Sequence, residues 1–502
     1  MQTFSSPSTI SGLSHGIIHL MLVLAVTTGC KREETFPDLG DKVASPIDVA
    51  VSSTGSHFYA LNADFDRRYN VGSILTMDAD GNKTSAVEVP RLGRTIAVAG
   101  TDMLVAYDRP DEKTPPGLLL FSLADPAKPA QVASWELDCE PMNIAMREDL
   151  RDPNKTYTYF ALTCVRGELY IGTLADNRAA STIKKVRNYG ITRRAIHLDP
   201  VRGLVLLFST DIGEQRWIDL ELEDSMSYSD TTPDGTAVAN EVPDEYEKNK
   251  RARANAGRRQ IYQFAVYNIN REAAATGEAF PFRETIDPVV QRELRWIYFN
   301  LFNFDGAPDT DSGYTADGLK IKYYRTNFFA ARPDPDDPDA FFLSQRGHVE
   351  ANKGGSRHAN NVIRVSFTGD LAGPETGDLP KTGEVLRFER VYGFKGELNP
   401  NGLQFPGDFV VTPVNGQTML IVNHFRDLVN WPRSQAYYSL AAKVVGEEFW
   451  HNEIISTDPF VSYFQVTVNS NGRGIACSFY GNAVILFDVQ PGTAITEVKR
   501  IN

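Results

Sequence analysis

Residues 464–499 read FQVTVNSNGRGIACSFYGNAVILFDVQPGTAITEVK. Phe464-Gln465-Val466-Thr467-Val468 is rich in residues that suit a pleated surface, and Asn471-Gly472 is a tight-turn dipeptide. Gly474-Ile475-Ala476-Cys477 makes a second apolar run and Val484-Ile485-Leu486-Phe487 a third. Ile495, Glu497 and Lys499 mark a fourth strand that is more polar than the others. Four strands joined by short turns form one antiparallel sheet whose inner strands are apolar and whose outer strand meets water.

The same shape recurs upstream. Ile47–Val51 turns at Ser53-Thr54-Gly55 into Phe58–Leu61, and Ile96–Val98 turns at Gly100-Thr101-Asp102 into Met103–Ala106. Asn143–Met146 leads through Asp152-Pro153-Asn154 into Thr156–Leu162, and Ala195–Leu198 turns at Asp199-Pro200 into Leu204–Leu207. Phe409–Val411 turns at Asn415-Gly416 into Met419–Val422. Third strands follow at Ser73–Met77, Leu118–Phe121, Leu169–Ile171 and Val362–Val365, and polar fourth strands at Ser85–Val89, Val132–Glu136 and Val385–Glu389. A four-stranded unit repeated at about 45–50 residues is the period of a β-propeller. The expected fold is therefore all-β, a propeller of seven four-stranded blades at roughly 44–90, 91–138, 139–190, 191–290, 318–393, 394–457 and 458–502.

An insertion interrupts the repeat between about Glu221 and Gly318. Asp287-Pro288 reads as a helix start, and Val290, Leu294, Ile297 and Leu301 fall on one helical face. The aromatic run Trp296–Phe299 also suits a strand. The insertion is expected to be partly helical and to cap one propeller face. Its basic stretch, Lys248 to Arg259, follows Glu241, Asp244, Glu245 and Glu247, which suits a solvated helix with internal ion pairs.

The N-terminus carries an address. Ile17–Val26 is an apolar run of about ten residues, too short to span a bilayer and right for the core of a signal peptide. Thr27-Thr28-Gly29 then leads into Cys30, which resembles a bacterial lipobox, although Thr27 stands where Leu is usual. That resemblance implies removal of residues 1–29 and acylation of Cys30; the charged residues that follow read as a polar tether over 30–43, and the repeat places the propeller over 44–502. Lys31 is not the Asp that retains such proteins at the inner membrane, so the outer membrane is the implied address.

Composition narrows the function. The 502 residues hold 51 Lys and Arg against 64 Asp and Glu, a net charge of −13, which argues against a nucleic-acid partner. Four cysteines exclude a disulfide miniprotein. Cys139 opens the first strand of the third unit and Cys164 ends its second. A loop centred near Arg151 and Asp152 would oppose them, so a cross-strand disulfide is predicted. Cys477 is expected to be a buried strand residue.

Asp48, Asn143, His197, Asp408 and Gln465 fall near the first strands and are candidates to line the axial channel, where polar residues are needed whether or not a ligand binds. The dispersed histidines form no local zinc signature. Asp309-Thr310-Asp311-Ser312-Gly313 resembles the start of a calcium loop, but Lys320 stands where its last Glu belongs. Asp78-Ala79-Asp80-Gly81-Asn82 reads as a hairpin turn, and Asp334 to Asp339 as a stiff acidic loop. No P-loop, nucleophile elbow or His-Glu-x-x-His motif occurs. No cofactor is expected; calcium or another divalent metal is the ion these acidic loops raise.

The stretch Ala60-Leu61-Asn62-Ala63-Asp64-Phe65-Asp66-Arg67-Arg68-Tyr69-Asn70-Val71-Gly72 resembles the first blade of β-propeller lipoproteins of Gram-negative bacteria. Gly481–Val489 is similar to blades of the broad YVTN/NHL-type group. The group mixes binding scaffolds with lactonases, and no distinctive catalytic motif of it is present here. The anchor, the repeat and the missing catalytic signatures together lead to the expectation of an outer-membrane-anchored, non-enzymatic module that binds a protein or glycan. The alternative is a metal-dependent, lactonase-like or other hydrolase acting at the axial channel.

Overall fold

A computed structural model describes residues 36–150, 157–165, 168–188, 195–200, 204–208, 261–268, 295–298, 321–351, 356–357, 361–367, 386–393, 406–427, 436–447, 451–455, 463–479 and 481–502. The chain divides into a unit Met1–Pro37, of which only residues 36 and 37 are described, and a unit Asp38–Asn502. Cys30, the basic stretch 248–259 and the calcium-like loop at 309–313 lie outside the described residues.

Among the described residues of the larger unit the strands form seven antiparallel sheets, six of four strands and one of five. The first sheet runs Pro46–Val51, His57–Asn62, Gly72–Asp78, Lys83–Val89. The first strands of the next five sheets are Gly93–Ala99, Pro141–Asp149, Ala195–Asp199, Ile321–Pro333 and Pro406–Val414. The last sheet runs Val466–Val468, Arg473–Ser478, Ala483–Asp488, Thr496–Ile501. Each first strand lies against that of the next sheet, and the seventh lies against the first. The architecture is all-β and propeller-like.

This arrangement explains the polarity gradient. The core lies between neighbouring sheets, so second and third strands are buried on both faces. One cluster joins Tyr59, Leu61 and Ile74 of the first sheet to Met103, Val105 and Phe121 of the second. Another joins Leu104 and Leu120 to Ile144, Phe160 and Leu162 of the third. Each fully buried side chain of this size contributes about 1.5–3 kcal/mol. The fourth strands are outermost, and Thr496–Ile501 is exposed at every position except Ile501.

The ring closes without strand exchange, because the last sheet is built wholly from residues 466–501. Val49, Phe58, Leu75 and Met77 instead pack against Ile475, Cys477, Leu486 and Ile501. Four hydrogen bonds tie this seam. Ser45 N donates to Asn482 Oδ1 at 2.7 Å, Asn469 Nδ2 to Gly55 O at 2.9 Å, Lys499 Nζ to Gly81 O at 3.2 Å and Lys83 Nζ to Asn502 O at 3.3 Å. Packing extends into the segment read as tether, where Leu39 and Val43 are buried.

The insertion between 221 and 318 is corrected by the fourth sheet. Ile261–Asn268 pairs with Leu204–Phe208, and Arg295–Tyr298 pairs with Ile261–Phe264, so two strands of the sheet lie inside that range. The helix read through Ile297 gives way to a strand over Arg295–Tyr298. Pairing satisfies the backbone of an aromatic, branched segment that suits a sheet. The rest of that helix lies outside the described residues, among which the one helical element is the 3₁₀ turn Arg178–Ala180. The acidic loop Asp334–Asp339 joins the first two strands of the fifth sheet. Arg364 holds it through Asp334 Oδ2 at 2.8 Å and Asp337 Oδ2 at 2.5 Å.

Candidate axial cavity

The first strands share a local device at the end where they begin. Pro46-Ile47-Asp48-Val49, Gly93-Arg94-Thr95-Ile96, Pro141-Met142-Asn143-Ile144 and Pro406-Gly407-Asp408-Phe409 are the opening tetrapeptides of four of them. In each the register to the second strand slips at this point, between Pro46 and Asp48, Gly93 and Thr95, Thr163 and Cys164, and Pro406 and Phe409. Proline suits the start of a strand because it has no N–H to give the ladder. The extra residue is a β-bulge, which re-aims the polar side chain after it. The seventh sheet has an equivalent, since Phe464 N donates to Cys477 O and Cys477 N to Gln465 O.

The first strands surround a cavity of about 340 Å³ whose lining includes Asp48, Asn143, His197, Asp408 and Gln465, all five channel candidates. Their surroundings differ. Asp48 is 8% exposed, and its Oδ1 accepts from Val49 N at 2.9 Å while its Oδ2 accepts from Ile96 N of the next sheet at 2.9 Å. Burial, with the Asp408 charge adding to it, raises its pKa from 3.8 to about 6 against those hydrogen bonds. Asn143 Oδ1 accepts from Ile144 N at 3.0 Å. Asp408 is ion-paired to Arg332, whose Nε also donates to Phe409 O at 3.1 Å. His197 contributes to the wall, yet its ring is stacked on Phe341 of the fifth sheet, with centroids 4.1 Å apart.

Two arginines line the same cavity, Arg147 on the third sheet and Arg332 on the fifth. Neither is among the residues the sequence singles out. Thr95, the third residue of its tetrapeptide, hydrogen-bonds Asp48. No local signal marks the arginines, because their role depends on which strands meet at the axis.

Cys139 and Cys164 are disulfide-bonded with Cα atoms 6.0 Å apart. They are not a directly opposed pair as the sequence suggested. The bulge sets Cys164 opposite Pro141, and Cys139 precedes the strand. Among the described residues the cluster of metal-ligand type is Cys139, Cys164 and Glu168; none of these lines the cavity, and the two sulfurs are bonded to each other.

The fold therefore defines an all-β, propeller-like protein with a polar axial cavity. No protein-family model matches the chain, and no curated protein matches it. Among solved structures it is similar to the periplasmic gluconolactonase PpgL of Pseudomonas aeruginosa, at 10% identity and TM-score 0.43, over 89% of this chain and 96% of that one. It is also similar to Sqt1 from Chaetomium thermophilum, at 11% identity and TM-score 0.42, over 93% of this chain and 90% of the other. A hypothetical selenium-binding protein from Sulfolobus tokodaii is similar at 9% identity and TM-score 0.37, over 91% and 93%.

Proposed function

We propose that this chain is a seven-bladed propeller of the YVTN/NHL type, lipid-anchored through Cys30 at the outer membrane, and that it binds a protein or glycan partner without catalysis. The observation that carries the non-enzymatic reading is the state of the axial carboxylates. Both oxygens of Asp48 accept backbone amides, and Asp408 is paired with Arg332. Carboxylates already committed to protein donors are poorly placed to take a metal or a proton from substrate. The Cys139–Cys164 disulfide suits an oxidising envelope compartment.

The binding face would be the one at which the first strands begin. The loops 63–71 and 108–116 join second to third strands on that face, and Asn70 and Glu112 are exposed on them. Photo-crosslinkers at Asn70 and Glu112 should trap a discrete envelope partner in intact cells. Labelling with palmitate should depend on Cys30, and Cys30→Ala should release the protein from the membrane fraction. Unlabelled wild type would remove the anchor, and crosslinkers that trap nothing would remove the face.

One observation favours the hydrolase alternative: Asp48 and Asp408 lie on one cavity and Asp408 raises the pKa of Asp48. A stoichiometric metal in the purified full chain, with a melting temperature lowered by chelator and a lactone hydrolysed in its presence, would replace the scaffold reading with that one.

A further inference from the structure

We propose that the axial cavity holds one small oxyanion-bearing molecule, a carboxylate or a phosphate about the size of a monosaccharide, received by Arg147. Arg147 lies on the first strand of the third sheet and lines the cavity. A guanidinium offers five N–H donors. Here the described residues accept one hydrogen bond from it, a long one of 3.4 Å to Leu198 O. No carboxylate among the described residues stands at ion-pair distance, and Asp199 acts on its charge from farther off. None of its nitrogens is sealed in the interior without a partner, and the residue is part of the cavity wall.

The second arginine is the control within the structure. Arg332 spends three of its five donors on Asp408, Phe409 O and Ala331 O, and it lies over the Phe409 ring. It is ion-paired with Asp408, whereas Arg147 has no carboxylate at ion-pair distance among the described residues. Burial holds the Arg147 pKa below its ordinary value, a penalty that an anion against the guanidinium would relieve.

Two threonines share the cavity lining. Thr412 stands four residues beyond Asp408, the same step that separates Arg147 from Asn143, and Thr467 stands two beyond Gln465. Both line the cavity, and neither hydroxyl has a partner among the described residues. A cation with spare donors and hydroxyls on the wall of one cavity suit an oxyanion carried on a polar body. The 340 Å³ volume is near the lower end of the range of about 300–1,000 Å³ for ligand pockets, which limits the ligand to a small molecule. This site stands independently of the anchor and of the partner on the outer face.

The test uses the full-length chain with inorganic phosphate, D-glucuronate and uncharged glucose as probes, read by calorimetric titration. The expected result is saturable binding of phosphate or glucuronate at one per chain, with glucose far weaker. Which of the two binds assigns phosphate or carboxylate. Arg147→Gln should weaken that binding about tenfold or more. In the unmutated protein, butanedione should modify Arg147, mapped by mass spectrometry, and the bound probe should protect it. That second readout does not depend on the variant folding. Absence of saturable binding by either anion, binding unchanged in Arg147→Gln, or an Arg147 that neither anion protects would each overturn the proposal.

Discussion

Asp48 should make the protein lose stability as pH rises through the mildly acidic range. Its carboxyl titrates near 3.8 when exposed and at about 6 in the fold. A raised acid pKa means that the folded state holds its proton more tightly. The stabilisation is therefore complete below the unfolded value and is lost as pH climbs through the folded one. At about 1.36 kcal/mol per unit, the shift is worth about 3 kcal/mol once the group is fully ionised. Integrated over pH, the cost is about 1 kcal/mol at about pH 4.5 and about 3 kcal/mol at about pH 7.5. Asp48 is 8% exposed, so solvent screening removes little of this. The perturbation is Asp48→Asn, which cannot ionise. It gives up one of the two acceptors now facing Val49 N and Ile96 N, a penalty that is constant with pH. The measurement is the difference in unfolding free energy between variant and wild type in urea, followed by tryptophan fluorescence at the two pH values. The variant should gain about 2 kcal/mol on wild type between them. A difference that stays flat would refute the assignment of a raised pKa to the buried Asp48.

Three further outcomes follow from the packing. Leu486→Ala removes a fully buried side chain from the seam between first and last sheets, should cost about 2–5 kcal/mol, and should open those two sheets first in hydrogen exchange. Reducing Cys139–Cys164, which closes a separation of 25 residues, should cost about 3 kcal/mol by chain entropy, read as a lower urea midpoint in reductant. Cys477 is buried, and burial pushes its thiol well above the usual range. It should resist alkylation in the native protein and react only on unfolding, as mass spectrometry would report.

The parts of the fold legible in the sequence are those encoded over short distances. Asn471-Gly472 and Asn415-Gly416 set tight hairpins, with Gly472 and Gly416 at φ of 82° and 81°, because a positive φ there favours glycine. The Asp78–Asn82 turn is equally local. Asp78 Oδ1 accepts from Asp80 N at 2.9 Å and from Asn82 N at 2.8 Å. The fourth sheet was harder to read because its second and third strands are separated by residues 209–260, so no turn signal links them. Its last strand is ambiguous in the sequence, since Val290, Leu294, Ile297 and Leu301 match a helical face while Trp296–Phe299 also suits a strand, and pairing with Ile261–Phe264 shows Arg295–Tyr298 to be extended.

For the cavity the division is similar. The polar third residue of Pro46-Ile47-Asp48-Val49 and its counterparts is written in the chain, and strand position alone suggested that Asp48, Asn143 and Asp408 lie near the axis. Which of them is occupied by protein depends on residues far away. Asp48 is held by Ile96 N from the next sheet, Asp408 by an arginine 76 positions earlier, and the His197 ring by Phe341 from the following sheet. By itself, then, the sequence determined the repeated hairpins, the apolar gradient and the polar openings of the first strands, because turn chemistry and side-chain alternation act between near neighbours. Only the tertiary structure decided the completion of the fourth sheet, the packed seam without strand exchange and the place of Arg147 and Arg332 on the cavity wall, because each depends on which sheets become neighbours around the axis.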